Sequence, residues 1–560
     1  MLHSPPVITF QTDPGVAVPR PAVTAAPAPS LREKPTSRRQ LALLAAVLIV
    51  GAALRVPTFM ARVLSDDEAI YATTASEMAR GAVLYRDVVD HKPPGIYDVY
   101  LASILALGPY NTHGAHAAVV LSVLLTAVLL WSTARRLYRE EGVDLAAALL
   151  FTVFSTAMFR YDSLAANCEL LLLLPQAAGL WWLVRRGDGA RRPWQVYVGA
   201  GVLTGLATII KYQGATFLAV IAAAAALEAR DGRRGAGRAA GLVLGATAAA
   251  GLVPALYLLR AWHAGGLDAL WYWFTFNFAY IRAGRSGLQA LEFGITRLAI
   301  VGGTAAFLPY ALGAAGAWRA VKECVALGAG RSATELEPGV EARALSLTWL
   351  ASSCVAVAAG GRYFGHYFHH VLPALCLLAS GPLVRVWTAG RGLRPVVGAL
   401  VAVPAVGFLA AAATPSGATF GDTNPQPPYG VLASRLEALS ALDDRVFVWG
   451  NSPQVYALAE RPMGTRFSFC NYLTGVSPGT PTEKGEADAR PNVVRDAWGM
   501  LFDDLDRRRP RWIVDAAAAG WDGYGAFPMT RYPRLSGYVR AHYAARLRVA
   551  GTVIYERTTP

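Results

Sequence analysis

Long, nearly uncharged apolar blocks recur along most of this chain. Two of them are QLALLAAVLIVGAAL at residues 40–54 and AAVVLSVLLTAVLLW at residues 117–131. With its flanks, each block reaches the roughly 20 residues that a helix needs to cross the hydrocarbon core of a bilayer. Only 16% of the 560 residues are charged, whereas a typical soluble domain has about 25%. The chain is therefore predicted to be a mainly α, polytopic membrane protein.

The apolar blocks predict about eleven membrane-spanning helices within residues 39–413. Their ranges are 40–60, 114–134, 143–160, 167–184, 194–210, 212–228, 239–259, 294–317, 344–359, 366–388 and 394–413. Two further apolar segments do not fit a span. Residues 95–107 are too few to cross the bilayer comfortably and indicate a half-buried helix. The aromatic run at 270–280 suits the headgroup level of the membrane, with a stacking platform for bases or sugars as the alternative.

The net charge of +14 is explained by membrane topology, and no nucleic-acid partner is expected. Arginines gather in short loops between apolar blocks, namely Arg135, Arg136 and Arg139, then Arg185, Arg186, Arg191 and Arg192, then Arg230, Arg233, Arg234 and Arg238. Short cytoplasmic loops of membrane proteins are enriched in Lys and Arg. These loops are therefore placed in the cytoplasm, and the loop 61–113 is placed outside.

The composition changes at both ends of the apolar region. Residues 1–38 are rich in Pro, Ala, Ser and Thr without periodicity, which predicts a disordered cytoplasmic tail. After Thr414, a linker-like stretch leads to strand patterns at 444–450, 511–516 and 547–557. Residues 414–560 are predicted to form a small periplasmic α/β domain.

The stretch LSDDEAIY at residues 64–71 places three acids just after the first predicted span. Ser65 and Glu68 form the Ser-x-x-Glu pattern of a capping box. Asp66 and Asp67 would lie in the first helical turn, where the helix dipole favours negative charge. The cap does not require the two aspartates. A carboxylate here could act as general base on an acceptor hydroxyl or bind a divalent cation.

Further along the same loop, DVVDHKPPG at residues 87–95 contains Asp90, His91 and Lys92. Its two prolines favour extended geometry at the lysine. Alone, Lys92 is explained as a snorkelling residue before a Pro-initiated helix. With the acidic cluster, however, it suits attack on a sugar carried by a lipid phosphate, because a lysine at headgroup depth can pair with that phosphate.

Four more polar residues lie at the outer ends of predicted spans. Glu169 begins the fourth span, where an unpaired acid is costly, so that either a functional role or an ion pair with Arg160 is expected. Lys211 ends the fifth span as a snorkelling anchor or a phosphate contact. Arg362 and His366, in GRYFGHYFHH at residues 361–370, could donate hydrogen bonds to a phosphate.

The segments DEAIYATTASEMARG and YRDVVDHKPPG resemble the first external loop of bacterial GT-C glycosyltransferases related to protein O-mannosyltransferases and lipid A sugar (aminoarabinose, galacturonic acid) transferases. That family has a DE-x-x-Y start and a KPP element. Four further stretches fit in order: NCELLLLLP at 167–175, KYQG at 211–214, GRYFGHYFHHVLP at 361–373 and RVFVWGNSPQVYALAERPMGTRF at 445–467. The likeness covers most of residues 40–560. One departure is His91, where lipid A transferases often have Glu, and whether Asp90 or His91 takes that role stays open.

The resemblance implies an inverting membrane transferase that takes sugar from a polyprenyl-phosphate donor on the periplasmic side. Asp67 is then the candidate base, with Asp66 and Glu68 beside it, and Asp67 and Glu68 are also candidate ligands of a divalent cation. The candidate substrate-binding residues are Lys92, Asp90, His91, Tyr71, Arg362, His366, Glu169 and Lys211. Membrane lipid is an expected partner, and the sugar and the acceptor (lipid, polysaccharide or protein) are not indicated.

Two other functions are weighed against transfer. A multi-pass transporter or lipid flippase would show repeated halves and broken polar helices near mid-membrane, whereas this sequence has no visible repeat and its notable polar residues lie at the outer rim. A receptor that only anchors a ligand-binding domain would need one or two spans.

Overall fold

The structure is a computed structural model, and it describes residues 36–138, 140–158, 160–186, 192–304, 306–331, 336, 339–413 and 427–558. The predicted tail up to residue 35 and the linker at 414–426 lie outside the described residues. Arg139 and Arg191 lie outside them too.

Among the described residues from 38 to 413, the regular elements are helices. Its helices are α1 (Arg38–Arg55), α2 (Asp66–Ala79), α3 (Gly95–Leu107), α4 (His113–Leu137), α5 (Val143–Phe154), α6 (Arg160–Leu164), α7 (Cys168–Val184), α8 (Pro193–Ile210), α9 (Leu218–Arg230), α10 (Ala236–His263), α11 (Leu267–Arg282), α12 (Gly287–Gly303), α13 (Phe307–Gly328), α14 (Val340–Ala358), α15 (Leu372–Ala389) and α16 (Leu393–Ala413). Short 3₁₀ helices follow α1 (Val56–Met60) and precede α9 (Tyr212–Phe217) and α15 (Gly365–His370).

Each predicted span contains a helix, and the chain is a polytopic, mainly α membrane protein as predicted. Within the described ranges, eight helical segments are long and apolar enough to cross a membrane. The predicted span 294–317 is instead divided between α12 and α13, which are bent by 111° and would count as a ninth span if taken together. Helices α5 and α7, with 12 and 17 residues, are shorter than predicted. The segment 95–107 is the short helix α3, as expected.

The two ends of the helix bundle differ in their polar residues. At one end, here called the arginine end, Arg186 and Arg233 both pair with Glu341, at 2.5 and 2.7 Å. The first loop and the starts of α6 and α7 lie at the opposite end, here called the loop end. Helix α7 starts beside Glu169 at the loop end and leads to Arg186, so its 17 residues cross the bundle over about 26 Å. These arginines and the first loop thus lie at opposite ends of the bundle.

Small residues let two of the spanning helices approach closely. Gly201 and Gly205 lie one turn apart on α8, and a Cβ at either position would collide with the backbone carbonyl of Ala246 or Ala250 on α10. Such small-xxx-small spacing is the usual device for helix packing where no hydrophobic driving force separates helix from lipid. It fixes α8, whose last residues lead into Lys211 at the loop end.

The C-terminal part has a four-stranded sheet of β1 (Val446–Trp449), β2 (Trp512–Asp515), β3 (Tyr543–Val549) and β4 (Thr552–Arg557), in the order β1-β2-β4-β3. β1 and β2 are parallel, and the other pairs are antiparallel. Its helices are α17 (Tyr429–Leu439), α18 (Gln454–Ala459), α19 (Asn471–Thr474), α20 (Ala497–Arg508) and α21 (Pro533–His542). The three predicted strand segments, including the final hairpin, are confirmed. Their apolar residues are buried on both faces of β1 and β2, which is usual for strands covered by helices.

The first loop is clamped between the helix bundle and this C-terminal domain. The backbone N–H of Val89 donates to the carbonyl of Arg466 at 3.0 Å, and that of Met463 donates to Glu77 at 3.0 Å. Arg508 donates to the carbonyl of Asp87 at 2.7 Å. These contacts come from residues more than 370 positions apart, and they fix the loop that carries the acidic cluster and Lys92.

Arg343 on α14 offers a test of how the arginine end is held. Its buried guanidinium donates to both carboxylate oxygens of Glu323 on α13, at 2.7 and 2.8 Å. Glu323→Ala leaves that charge without its bidentate partner, and we expect a loss of about 3 kcal/mol in unfolding free energy. Thermal unfolding of the detergent-solubilised protein measures it, with Glu292→Ala on the exposed surface of α12 as the matched control. Equal midpoints for wild type and Glu323→Ala would contradict this expectation.

Candidate active site

A cavity of about 1230 Å³ lies at the loop end, between the first loop, α11 and the C-terminal domain. Eight residues predicted from the sequence line it: Asp66, Asp67, Asp90, His91, Lys92, Lys211, Arg362 and His366. Tyr71 and Glu169 lie directly behind this wall, in contact with Lys92 and Lys211. The fold therefore brings together residues that are up to 300 positions apart in the chain.

Asp67 and Lys92 form an ion pair on the wall of this cavity. The Nζ of Lys92 is 2.6 Å from Oδ1 of Asp67, and it donates to the hydroxyl of Tyr71 at 2.7 Å. Tyr71 in turn donates to Oδ2 of Asp67 at 3.3 Å. The aspartate is in the first turn of α2, whereas the lysine lies in a bend just before Pro93 and the start of α3. The pair places a carboxylate and an ammonium group side by side on the wall of one cavity.

The backbone of Lys92 is also held in place. Tyr85 is buried and donates from its hydroxyl to the Lys92 carbonyl at 2.7 Å. The backbone of Tyr85 has a φ of 72°. This value lies in the left-handed region, which non-glycine residues adopt only where surrounding contacts enforce it. A strained turn thus fixes the direction in which the lysine enters the cavity.

The ion pair sets the charge of both partners. Burial would raise the pKa of Asp67, but Lys92 and His366 outweigh it and the pKa lies below its ordinary value. Burial would lower the pKa of Lys92, but Asp67 and Asp90 raise it well above its ordinary value. Both groups are therefore charged at neutral pH.

A second cluster adjoins the first. Lys211 forms an ion pair with Glu169 and lies 3.9 Å from the ring centroid of Tyr367. Glu169, the acid predicted to need a function or a partner, thus has a partner, which is Lys211. The side chain of Arg160, the alternative partner, lies outside the described residues. His366 is 3.9 Å from Glu169 and 3.8 Å from Asp67, so it joins the two clusters.

Glu68 faces away from the cavity. Its carboxylate accepts from the backbone N–H groups of Leu64 at 2.6 Å and Ala166 at 3.0 Å, and it lies 2.5 Å from Nε2 of His116. Ser65 caps α2 as predicted, accepting from the N–H of Glu68 at 3.3 Å. The return bond of the predicted capping box goes to Leu64 instead of Ser65. Glu68 therefore anchors the start of α2 and directs its neighbour Asp67 into the cavity.

The predicted cation ligands do not converge. Asp67 points into the cavity toward a lysine, whose charge repels a cation, whereas Glu68 is turned inward and its oxygens already accept several hydrogen bonds. Within the described part of the chain, no group of three or more His, Cys, Asp or Glu side chains is arranged to hold a metal ion. The residues present do not fit a divalent cation bound by this pair.

Asp90 and His91 join the first loop to the C-terminal domain. Asp90 is buried and accepts from the hydroxyls of Tyr97 at 2.6 Å and Tyr472 at 3.0 Å. His91 contacts the Tyr472 hydroxyl through Nδ1 at 2.9 Å and lies against the ring of Tyr280, 4.5 Å away between centroids. Both residues line the cavity and both contact the Tyr472 hydroxyl, so the structure does not separate their roles.

Arg362 holds the far wall of the cavity. Its guanidinium donates to the carbonyls of Pro478 and Tyr280 and to the hydroxyl of Ser477, and it stacks on the Tyr280 ring at 3.8 Å. These contacts connect α11 to the C-terminal domain. The arginine thus lines the site but is engaged by backbone groups, in contrast to Lys92.

Sequence reasoning missed two kinds of site residue. Asp162 lies on the short helix α6 and contacts Nδ1 of His366 at 2.9 Å. Its position among the polar residues between α5 and α7 was the available signal. Asn451, Asn471 and Glu483 line the cavity from the C-terminal domain. Asn451 lies in the stretch 445–467 that carries part of the family resemblance, whereas no motif marks Asn471 or Glu483.

Asp66 faces the C-terminal domain. It accepts a hydrogen bond from Gln454 on α18. Burial, together with the nearby charge of Asp522, raises its pKa to about 7. Asp66 and Asp67 are consecutive but have opposite environments, since one faces carboxylates and the other faces a lysine. Asp67 is thus the ionised member of the pair.

Comparison with known proteins supports the family resemblance and defines the fold. Residues 91–258 match the family model for dolichyl-phosphate-mannose-protein mannosyltransferase. No curated protein matches the chain in sequence. ArnT from Cupriavidus metallidurans, in its crystal structure with undecaprenyl phosphate, superposes with a TM-score of 0.58 at 17% identity, over 93% of this chain and 98% of ArnT.

A second similar structure is the archaeal oligosaccharyltransferase AglB from Archaeoglobus fulgidus, in complex with an inhibitory peptide and a dolichol phosphate. Its TM-score is 0.52 at 13% identity, over 93% of this chain and 74% of AglB. At such identities the likeness is one of fold. The GT-C fold predicted from the sequence resemblance is confirmed.

Glu68 offers a test of its anchoring role. Glu68→Ala leaves the N–H groups of Leu64 and Ala166 and the ring of His116 without their acceptor, and we expect a loss of about 3 kcal/mol or more in unfolding free energy. Asp67→Asn, one residue earlier, keeps a side chain that can accept from Tyr71 and is the comparison variant. Thermal unfolding in detergent measures both. A larger loss in Asp67→Asn than in Glu68→Ala would refute the assignment.

Asp66 makes stability depend on pH. Because its pKa is raised from 3.8 to about 7 in the folded protein, the stability it contributes is full below about pH 4 and is lost as the pH rises toward 7. Asp66→Asn removes that loss. Its thermal midpoint should match the wild type near about pH 4 and exceed it near about pH 8, with Asp98→Asn as the control. If the thermal midpoints of Asp66→Asn and the wild type differ by the same amount at both pH values, the expected role of Asp66 is wrong.

Proposed function

We propose that this chain is a glycosyltransferase that moves a sugar from a polyprenyl-phosphate donor to an acceptor at the periplasmic face of the inner membrane. The observation that carries the proposal is the Asp67–Lys92 pair, 2.6 Å apart, on the wall of a cavity at the loop end of a membrane-embedded bundle. The proposal is also supported by the GT-C fold shared with structures that hold undecaprenyl phosphate and dolichol phosphate.

The donor phosphate would bind at the cationic wall. Lys92 and Lys211 both line the cavity, and lysine binds phosphate as a compact point charge. Tyr212, Phe274 and Phe278 also line it, and Phe278 is exposed on α11. An aromatic rim of this kind suits the headgroup level, where a prenyl chain would pass from the lipid into the site.

Donor binding would activate Asp67. In the structure Lys92 neutralises this carboxylate, which makes it a weak base. A bound phosphate competes with Asp67 for Lys92. Lys92 then stabilises the ionised form of Asp67 less, and the affinity of Asp67 for a proton rises. Asp67 then accepts the proton of the acceptor hydroxyl as that oxygen attacks the anomeric carbon. A single displacement of this type inverts the anomeric configuration.

Lys92 and Lys211 would then stabilise the charge that develops on the departing phosphate. No step passes through a divalent cation, because Asp67 and Glu68 do not fit one. The acceptor would enter from the C-terminal domain, whose Asn451 and Asn471 line the cavity. Carboxamides hydrogen-bond hydroxyl groups, which suits an alcohol on a lipid, a polysaccharide or a protein.

The test is a transfer assay with labelled polyprenyl-phosphate sugars on the purified chain. Asp67→Asn should lower kcat about 10³-fold because the base is lost. Lys92→Ala should raise the donor KM and lower kcat about 10²-fold because the phosphate loses its cation. The controls are Asp98→Asn, whose partner Arg260 lies outside the cavity, and Lys322→Ala at the exposed end of α13. Wild-type turnover in both site variants would refute the proposed site.

A further inference from the structure

The sugar transfer proposed above releases one proton, which a group in the site must accept. The acceptor hydroxyl loses a proton when the new glycosidic bond forms. At the same time, the donor phosphodiester, which has one negative charge, becomes a phosphate monoester whose second pKa is about 6. A group that stands near both Asp67 and the phosphate, and that exchanges protons near neutral pH, would connect the two events. Histidine is the side chain with that property.

His366 stands at this position. It lines the cavity, and its Nε2 is 3.8 Å from Oδ2 of Asp67. Lys92, the proposed phosphate ligand, contacts the other oxygen of the same carboxylate at 2.6 Å. A phosphate held by Lys92 is therefore close to the ring of His366.

Asp162 fixes the orientation of that ring. Its Oδ1 is 2.9 Å from Nδ1 of His366, so Nδ1 carries a proton and Nε2 is directed at Asp67. Phe364 stacks on the imidazole at 5.7 Å and 15°, and Tyr367 packs against it edge-on at 4.9 Å. The tautomer and the ring plane are thus both determined by neighbours.

The charges around His366 favour its protonated form. Asp67, Asp162 and Glu169 all lie within 4 Å of the ring, and Lys92 and Lys211 neutralise two of these three carboxylates. A charged imidazolium balances the third. Burial lowers the pKa of His366, but Glu169, Asp162 and Asp67 together raise it above its ordinary value.

We propose that His366 transfers the acceptor's proton from Asp67 to the departing phosphate, and that Asp162 is the positioning residue that holds His366 for this transfer. The inference rests on the proposed function. As the bond between the anomeric carbon and the phosphate oxygen breaks, Nε2 gives its proton to the phosphate. Asp67 takes the acceptor's proton as the new carbon–oxygen bond forms, and then passes it to Nε2. One proton moves from hydroxyl to phosphate, and the enzyme returns to its starting state.

The experiment measures kcat and donor KM against pH for the full-length protein with a labelled polyprenyl-phosphate sugar. In the wild type, the alkaline limb of kcat should report loss of the His366 proton. His366→Gln should lower kcat about 10²-fold, keep the donor KM within about threefold, and lack the alkaline limb. Asp162→Asn removes one of three carboxylates, so its alkaline limb should lie about one pH unit lower.

Matched controls are His113→Gln and Asp98→Asn, which make the same changes outside the cavity. If His366→Gln fails to fold, His366→Ala serves with added imidazole, which fits a cavity of about 1230 Å³. Imidazole should restore its kcat in a concentration-dependent way and leave Lys92→Ala unrescued.

Three results would overturn the relay while sugar transfer stands: wild-type kcat in His366→Gln, an unmoved alkaline limb in Asp162→Asn, or no rescue of His366→Ala by imidazole. If the wild type transfers no sugar from any polyprenyl-phosphate donor, the proposed function fails, and the relay with it. The two failures are therefore distinct.

Discussion

The rest of the site depends on one ion pair, Asp67–Lys92, held at 2.6 Å on a cavity wall at the rim of a membrane-embedded bundle. A buried or half-buried charge is stable only with a partner, so each residue keeps the other ionised. The same pairing limits each of them, because a neutralised aspartate is a weak base and an engaged lysine is a weaker phosphate ligand. A donor phosphate that takes over Lys92 removes both limits at once, which would couple donor binding to activation of the acceptor.

The surrounding structure holds Asp67 and Lys92 in position. Glu68 anchors the first turn of α2 from behind, Tyr85 fixes the backbone of Lys92, and Asp90 joins the loop to Tyr472 of the C-terminal domain. Two of these residues also contact parts of the chain outside the loop, since Glu68 accepts from the N–H of Ala166 and Asp90 accepts from Tyr472. The first loop therefore has the shape of the site only when the helices and the C-terminal domain are both in place, which explains why a sugar-transfer site would need so large a scaffold.

Much of this could be predicted from the sequence. Apolar blocks, arginine-rich loops and period-two strands are local patterns, and they gave the helices, the two-ended bundle and the C-terminal sheet. The DDE and HKPPG motifs gave Asp67 and Lys92, because their chemistry is unusual at a membrane exit.

Local patterns do not contain the direction in which a side chain points. Glu68 belongs to the same motif as Asp67 yet faces the opposite way, and Asp162 reaches His366 across 204 positions. The division of 294–317 between α12 and α13 was likewise invisible, since each half is apolar.

The central claim, that Asp67 and the donor phosphate compete for Lys92, is tested most directly by the equilibrium affinity of the purified protein for a polyprenyl phosphate. Asp67→Asn frees the lysine and removes a repelling charge. The account predicts that this variant binds the lipid phosphate more tightly than the wild type, by about tenfold or ~1.4 kcal/mol, although its kcat is about 10³-fold lower. Equal or weaker binding by Asp67→Asn would contradict it.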